Sequence, residues 1–400
     1  MTEGERSPLA RSEARTSDPG PRKSRGVTGM TTRALVLAPL LALAAAACAP
    51  VPLGDGPRRQ AVRALTEQVI RPTLDDSAAR ATLLATAARA LADAPSQATL
   101  DAAQEAWRTA RAPWKACDAF GFGPATDARL AAAIDQLPVE PAKIEAEIAS
   151  TAELTVDYID TIGADRKGFH ALEHVVFGAG DDAAVLASLT TDASAGRRRA
   201  LVAALAGNLE RKLRELGSAW APDGGGYAET VATPGAANAT YPTIKSVLDA
   251  FANRSVFLAE LVADARIGKP LGLATGGAPQ PALEESGPSD NSLADMAATV
   301  RGIRAIYTGA RDGDSTAAGG GIGGLVAAQR PATDREARDL FERALAAIEA
   351  VPRPFRAAVV EHPAEVQAAY DAVKELEQLL ATEVLAALGA TLSFNGNDGD

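Results

Sequence analysis

Gly168-Phe169-His170-Ala171-Leu172-Glu173-His174-Val175-Val176-Phe177-Gly178 holds two of the three histidines in a chain of 400 residues. On a helix, His170, Glu173 and His174 fall at i, i+3 and i+4 and share one face, with Phe177 one turn on. Phe169, Ala171, Leu172, Val175 and Val176 occupy the other sides. A helix that is apolar around most of its circumference is buried. Its polar stripe must then face partners inside the protein, because a buried charge is costly unless it is paired or ligating. The stretch therefore predicts a core helix, with Asp165 as its N-cap and Gly178 just past its end.

The same period recurs outward from this segment. Val62, Leu65, Val69, Ile70 and Leu74, then Leu83, Leu84, Ala87 and Leu91, predict a helix divided or kinked at Pro72. Ser96 caps a second helix running through Trp107, with Pro113 late in it. Further helices are expected over 142–162, 183–217 (one long or two), 243–265, 291–309, 334–350 and 364–388. The glycine-rich stretch 317–325 lacks the Lys-Ser/Thr of a phosphate loop and reads as a flexible turn. Arg197–Arg199 reads as a solvated helix face. No strand period appears, and the abundant alanine favours helix. The expectation is an all-α protein of two helical bundles, residues 58–230 and 243–400, divided in the irregular stretch 217–242. A distant internal duplication would suit that layout, although no clean repeat is visible.

The N-terminus reads as an address. Arg33 precedes an apolar run from Ala34 to Ala47, and small residues lead into Cys48. This is the layout of an export signal, and a run of 14 residues falls short of the ~20 needed to span a bilayer. The signal is complete from Met30, so residues 1–29 are expected to be disordered or a start-site artefact and 30–47 a signal peptide. Ala45-Ala46-Ala47-Cys48 resembles a bacterial lipobox, with Ala where Leu is preferred. Lipidation of Cys48 would anchor the protein to the membrane in the periplasm or cell envelope; ordinary cleavage would release it. Cys117 would then have no partner within the chain and is expected to be a buried small hydrophobe.

A formal net charge of −11 argues against a nucleic-acid partner and against a basic membrane-binding face. It is compatible with a cation. Three readings of the 168–178 stretch remain open on spacing alone. Two imidazoles and a carboxylate suit iron or zinc. The H-x-x-E-H order suits an inverted zinc peptidase, with His170 and His174 as ligands and Glu173 polarising a water; no third ligand is evident, and His362 lies in a different helical region. The third reading is a hydrogen-bonded polar layer in a bundle core.

The stretch "GFHALEHVVFG" also resembles the G-x-H-x-x-E signature of the imelysin family. "AWRTARAPWKACDAFGFGP" (106–124), "IGKPLG" (267–272), "ESGPSDNSLAD" (285–295) and the ending "LSFNGNDGD" (392–400) are similar to other motifs of that family. The resemblance implies two helical bundles with the H-x-x-E motif in a cleft near their junction, an envelope location, and a link to iron uptake alongside envelope iron-uptake components. It implies His170 and Glu173 as the metal pair, and Arg111, Asp118, Glu285, Ser289 and Asn291 as cleft residues. Peptidase activity, with Glu173 as general base, is the alternative it carries. The chain departs from the family pattern at His174, where an aromatic residue is common, at Asp118, where Glu is usual, and at Gly287-Pro288, which interrupts an E-S-x-x-S stretch.

Overall fold

In the computed structural model, which describes residues 53–312 and 320–393, the motif segment is a helix, Gly168–Phe177, and all its residues except His174 are buried. It packs against the long helices Gln97–Cys117 and Ala195–Trp220, and the latter packs along Arg71–Asp93. A second group comprises Ile244–Glu260, Ser292–Thr308, Pro331–Ala350 and Pro363–Leu379. The two groups meet where Gln97–Cys117 lies along Ser292–Thr308. The fold is all-α with two helical bundles, and among the described residues there is no strand. No described helix is long and apolar enough to cross a membrane.

Local chemistry accounts for most boundaries. Ser96 Oγ accepts from Thr99 N at 3.2 Å while Thr99 Oγ1 accepts from Ser96 N at 3.0 Å. That reciprocal cap starts the Trp107 helix, and Thr243 and Ser246 repeat the device at Ile244–Glu260. The first predicted helix is divided just before Pro72, as expected, into Asp55–Leu65 and Arg71–Asp93. Pro72 sits in the first turn of Arg71–Asp93, where its missing N–H is harmless, and a wide turn over Thr66–Ile70 takes up the change of pitch. Similar wide turns extend two later helices, over Leu261–Gly268 and Leu380–Val384.

Several expectations are corrected. The predicted helix 142–162 is two short ones, Pro141–Ala149 and Val156–Thr161, with Thr155 capping the second through Tyr158 N. Asp165 is not the cap of the motif helix; it lies in the turn Ala164–Arg166, and its carboxylate takes Lys143 Nζ at 2.5 Å. Residues 183–217 form two helices, one of the two layouts expected, as Asp182–Thr190 and Ala195–Trp220. The described part of the glycine-rich stretch is not a turn throughout, since Ile322–Gln329 is helical. Arg197 is not simply solvated: it donates to the carbonyls of Glu147, Ile148 and Ala152 and so ties down the end of Pro141–Ala149. Cys117 is buried, as expected. Residues 1–29, the signal segment 30–47 with Cys48, and the end of the C-terminal motif lie outside the described residues.

The junction of the two groups is close. A Cβ on Gly302 would stand 2.6 Å from the Ala116 carbonyl oxygen and 2.8 Å from its Cα, so only glycine lets these helices approach so nearly. Gly302→Ala must push them apart and should cost about 1–3 kcal/mol. Urea unfolding checks this, and an unchanged midpoint would show that the crossing is not tight.

Candidate metal centre

The centre assembles from five parts of the chain, one of them Leu261–Gly268 with Arg266. Gly168 opens the motif helix at φ +79°, and a Cβ there would lie 2.3 Å from the Ile134 carbonyl oxygen. Glycine thus allows the start of the motif helix to abut the end of Leu130–Asp135. This approach brings His170 beside Asp135, with Nε2 at 3.3 Å from Oδ1. Arg111 and Lys115 reach the same place from Gln97–Cys117, one turn apart. Glu285 enters from the loop before Ser292–Thr308, and Asp295 from the first turn of that helix.

Arg111 is the hub. Its guanidinium is fully buried and donates to Asp295 Oδ2 at 2.8 Å, to Glu285 Oε1 at 3.1 Å and to Asp135 Oδ1. It lies over the rings of Trp107 and Phe169, 5.3 and 5.1 Å from their centroids, an added cation–π attraction. Lys115 Nζ contacts Glu285 Oε1 at 2.6 Å and Asp135 Oδ2 at 3.0 Å, and Trp114 Nε1 donates to the latter oxygen at 2.8 Å. Arg266 holds the other Glu285 oxygen at 2.6 Å. Burial alone would raise the Asp135 and Glu285 carboxyls. The surrounding cations outweigh it, Arg111 foremost for Asp135 and Arg266 for Glu285, and hold both below the usual carboxylate range.

His170 and Glu173 form an oriented pair. Glu173 Oε2 meets His170 Nδ1 at 2.9 Å, while Glu173 Oε1 accepts from Ser289 Oγ at 2.6 Å and Ser289 N at 3.1 Å. Glu173 is thus turned away from the cluster, and its bond to Nδ1 aims Nε2 into it. This is how carboxylates set the orientation of metal-binding histidines. Nε2 is buried and makes no hydrogen bond; Glu285 Oε1 stands 3.7 Å away. One atom each from Asp135, His170 and Glu285 lies within 4.8 Å of the others. A nitrogen and two carboxylate oxygens fit iron or zinc.

The residues expected from the sequence divide clearly. Arg111 and Glu285 are in the centre. Ser289 holds Glu173, and Asn291 donates to Asp295 Oδ1 at 2.7 Å, with Ser286 on Oδ2 at 2.6 Å. Asp118 is at the edge, 3.7 Å from both Lys115 and Arg266. His174 is not brought in: its Nε2 meets Glu145 Oε1 at 3.0 Å on a partly exposed face, where Arg198 grips the same carboxylate. His362 is remote in role, half-buried between two C-terminal helices. Asp135, Lys115, Arg266 and Asp295 were missed as site residues. Lys115 carried a signal, since it shares a helix face with Arg111 among tryptophans; Asp135, alone in an alanine-rich run, carried none.

Three buried cations, Arg111, Lys115 and Arg266, face four carboxylates, Asp135, Glu173, Glu285 and Asp295. A protonated His170 adds a further positive charge among these carboxylates. Burial opposes that proton, but the Glu173 and Glu285 carboxylates override burial and push the His170 pKa up to about 9. The unfolded-state value is about 6.5, so the proton's contribution to stability is complete below about pH 6.5 and is lost as pH rises through about 9. Urea midpoints of metal-free protein should therefore fall across pH 6.5–9, and fall less in His170→Gln; parallel profiles would contradict this.

Residues 70–382 match the profile of the family described as Imelysin. Iron-regulated protein A of Synechococcus elongatus is 30% identical over 298 residues, covering 74% of this chain and 76% of its own length. Two crystal structures share the fold. A protein assigned as an iron-regulated protein A precursor from Parabacteroides distasonis has a TM-score of 0.73 at 23% identity, covering 84% of this chain and 96% of that one. An imelysin-like protein from Psychrobacter arcticum has a TM-score of 0.70 at 17% identity, covering 86% and 99%. Matched along most of its length both by the family profile and by the cyanobacterial relative, the chain belongs to the imelysin family.

Proposed function

We propose that the protein is an exported, lipid-anchored metal-binding protein of the cell envelope that serves iron acquisition, with His170 Nε2, Asp135 and Glu285 as the metal's protein ligands. The observation that carries the metal is the orphaned, buried Nε2 facing two carboxylates. The name of the Synechococcus relative, iron-regulated, supports iron over zinc. The charged residue, apolar run and small residues before Cys48 support export and anchoring.

Each side chain then has a task. Glu173, fixed by Ser289, orients His170. His170 gives up its proton so that Nε2 can ligate, which couples binding to proton release. A bound ion would supply a double positive charge where Lys115 now supplies a single one. Since Lys115 holds Glu285 Oε1, the oxygen 3.7 Å from His170 Nε2, as well as Asp135 Oδ2, ion and ammonium compete for Glu285. A zinc peptidase is the second reading, and it requires Glu173 to hold a water against the metal. Both of its oxygens are already engaged, which ranks it lower.

Calorimetry with ferrous iron and zinc tests the assignment. His170→Ala and Asp135→Asn should each weaken binding at least about tenfold, or ~1.4 kcal/mol. Lys115→Gln should tighten it by removing the competitor. Equal affinity in wild type and His170→Ala would defeat the site, and zinc-dependent peptide hydrolysis abolished by Glu173→Gln would install the second reading.

The anchor is tested by growing expressing cells with a labelled fatty acid. Wild type should take up label and Cys48→Ala should not. An unlabelled wild type, or label that survives the substitution, would remove the anchor.

A further inference from the structure

The metal centre leaves one buried charge unexplained. Lys167, only 6% exposed, spends its ammonium on a single hydrogen bond to the Asp160 carbonyl oxygen at 2.9 Å. Among the described residues it has no ion pair, whereas Arg111, Lys115 and Arg266 are each paired with carboxylates. An ammonium has three donors, so two point elsewhere. Burying such a group without a counter-charge is costly.

Lys167 lines an open pocket of about 320 Å³, together with Arg129, Lys212, Asp160 and the small side chains of Ala132 and Ala164. Its charge is one-sided. Among the described residues Asp160 is the only carboxylate on the wall; it takes Lys212 Nζ at 2.8 Å and Asn208 Nδ2 at 3.2 Å, and Lys212 also pairs with Glu215 Oε2 at 3.0 Å. Arg211 stands a further 3.8 Å from Asp160 and is paired mainly with Asp157. Burial pushes the Lys167 pKa below its ordinary value, and Lys212 and Arg211 push it further, against the pull of Asp160. Lys167 thus faces more cationic than anionic neighbours, an arrangement that an anion would favour.

We propose that this pocket binds a small oxyanion, a phosphate or a carboxylate, held by the ammonium groups of Lys167 and Lys212 with Arg129 at the rim. The space exceeds that of one phosphate group and admits either a hydrated inorganic ion or a short dicarboxylate. Its residues are separate from those of the metal centre, so the two assignments stand or fall independently. Arg129 holds φ +53°, a conformation that glycine adopts freely, so its side chain can be removed by Arg129→Gly without strain.

Purified protein is titrated with inorganic phosphate and with succinate at constant ionic strength in chloride, by calorimetry and by thermal unfolding. At least one should bind with a Kd below about 1 mM and raise Tm. Lys212→Ala should weaken binding at least about fivefold, and Lys167→Met, an apolar chain of similar length, should do the same. Arg129→Gly should weaken it less. Binding of phosphate alone or succinate alone supports the site and names its class. Should Lys167→Met fail to fold, Lys212→Ala decides. No binding of either anion to wild type, or undiminished affinity in Lys212→Ala, overturns the proposal.

Discussion

A fully buried guanidinium sits at the meeting of the two bundles, and the rest of the centre is arranged around it. Arg111 belongs to the first bundle, and its partners Glu285 and Asp295 belong to the second bundle and the loop leading into it. Such a network adds little net stability compared with an apolar core. Removing one partner, however, strands the others at a cost of about 3–5 kcal/mol. That asymmetry makes the network a specifier of docking: the bundles can meet in one register only, the one that pairs every charge. The planar fork of arginine suits this role, because it can satisfy several carboxylates at fixed angles.

The same constraint defines the chemistry. Once Arg111 and Lys115 fix Asp135 and Glu285, and Ser289 fixes Glu173, His170 has one orientation left, with Nδ1 bonded and Nε2 bare. The loop Ser286–Asn291 works as a latch, since Ser286 and Asn291 secure Asp295 while Ser289 secures Glu173. The motif carboxylate is thus an aiming device. On the proposed assignment, a metal would displace the His170 proton and compete with the Lys115 ammonium for Glu285. Affinity would then depend on pH and on Lys115 as much as on the ligands.

Much of the architecture was legible in the sequence because its signals are local. Helical periodicity, the Ser96 cap and the apolar circumference of 168–178 each report on a few neighbouring residues. So does the resemblance, whose motifs contain Arg111, Glu285, Ser289 and Asn291. What escaped was set by tertiary contact. Asp135 acquires meaning only because Gly168 lets two helix ends touch. Arg197 looked solvated because its acceptors are carbonyls some 50 positions away. His174 shares a helical face with His170 by spacing, yet the packing gives one to the core and the other to Glu145 near the surface. Pro72 marked the division of its helix, but not that the division takes the form of a wide turn over Thr66–Ile70, since α and π pitch use the same residues.

The account depends on which atoms face a bound ion. Crystals soaked in ferrous iron or zinc and measured at the metal's absorption edge give that answer directly. The account predicts one buried peak within bonding distance of His170 Nε2 and of oxygens from Asp135 and Glu285, with Glu173 still on Nδ1 and Lys115 withdrawn. A peak ligated by Glu173 or His174, or a soaked crystal with no ion at His170, would contradict it.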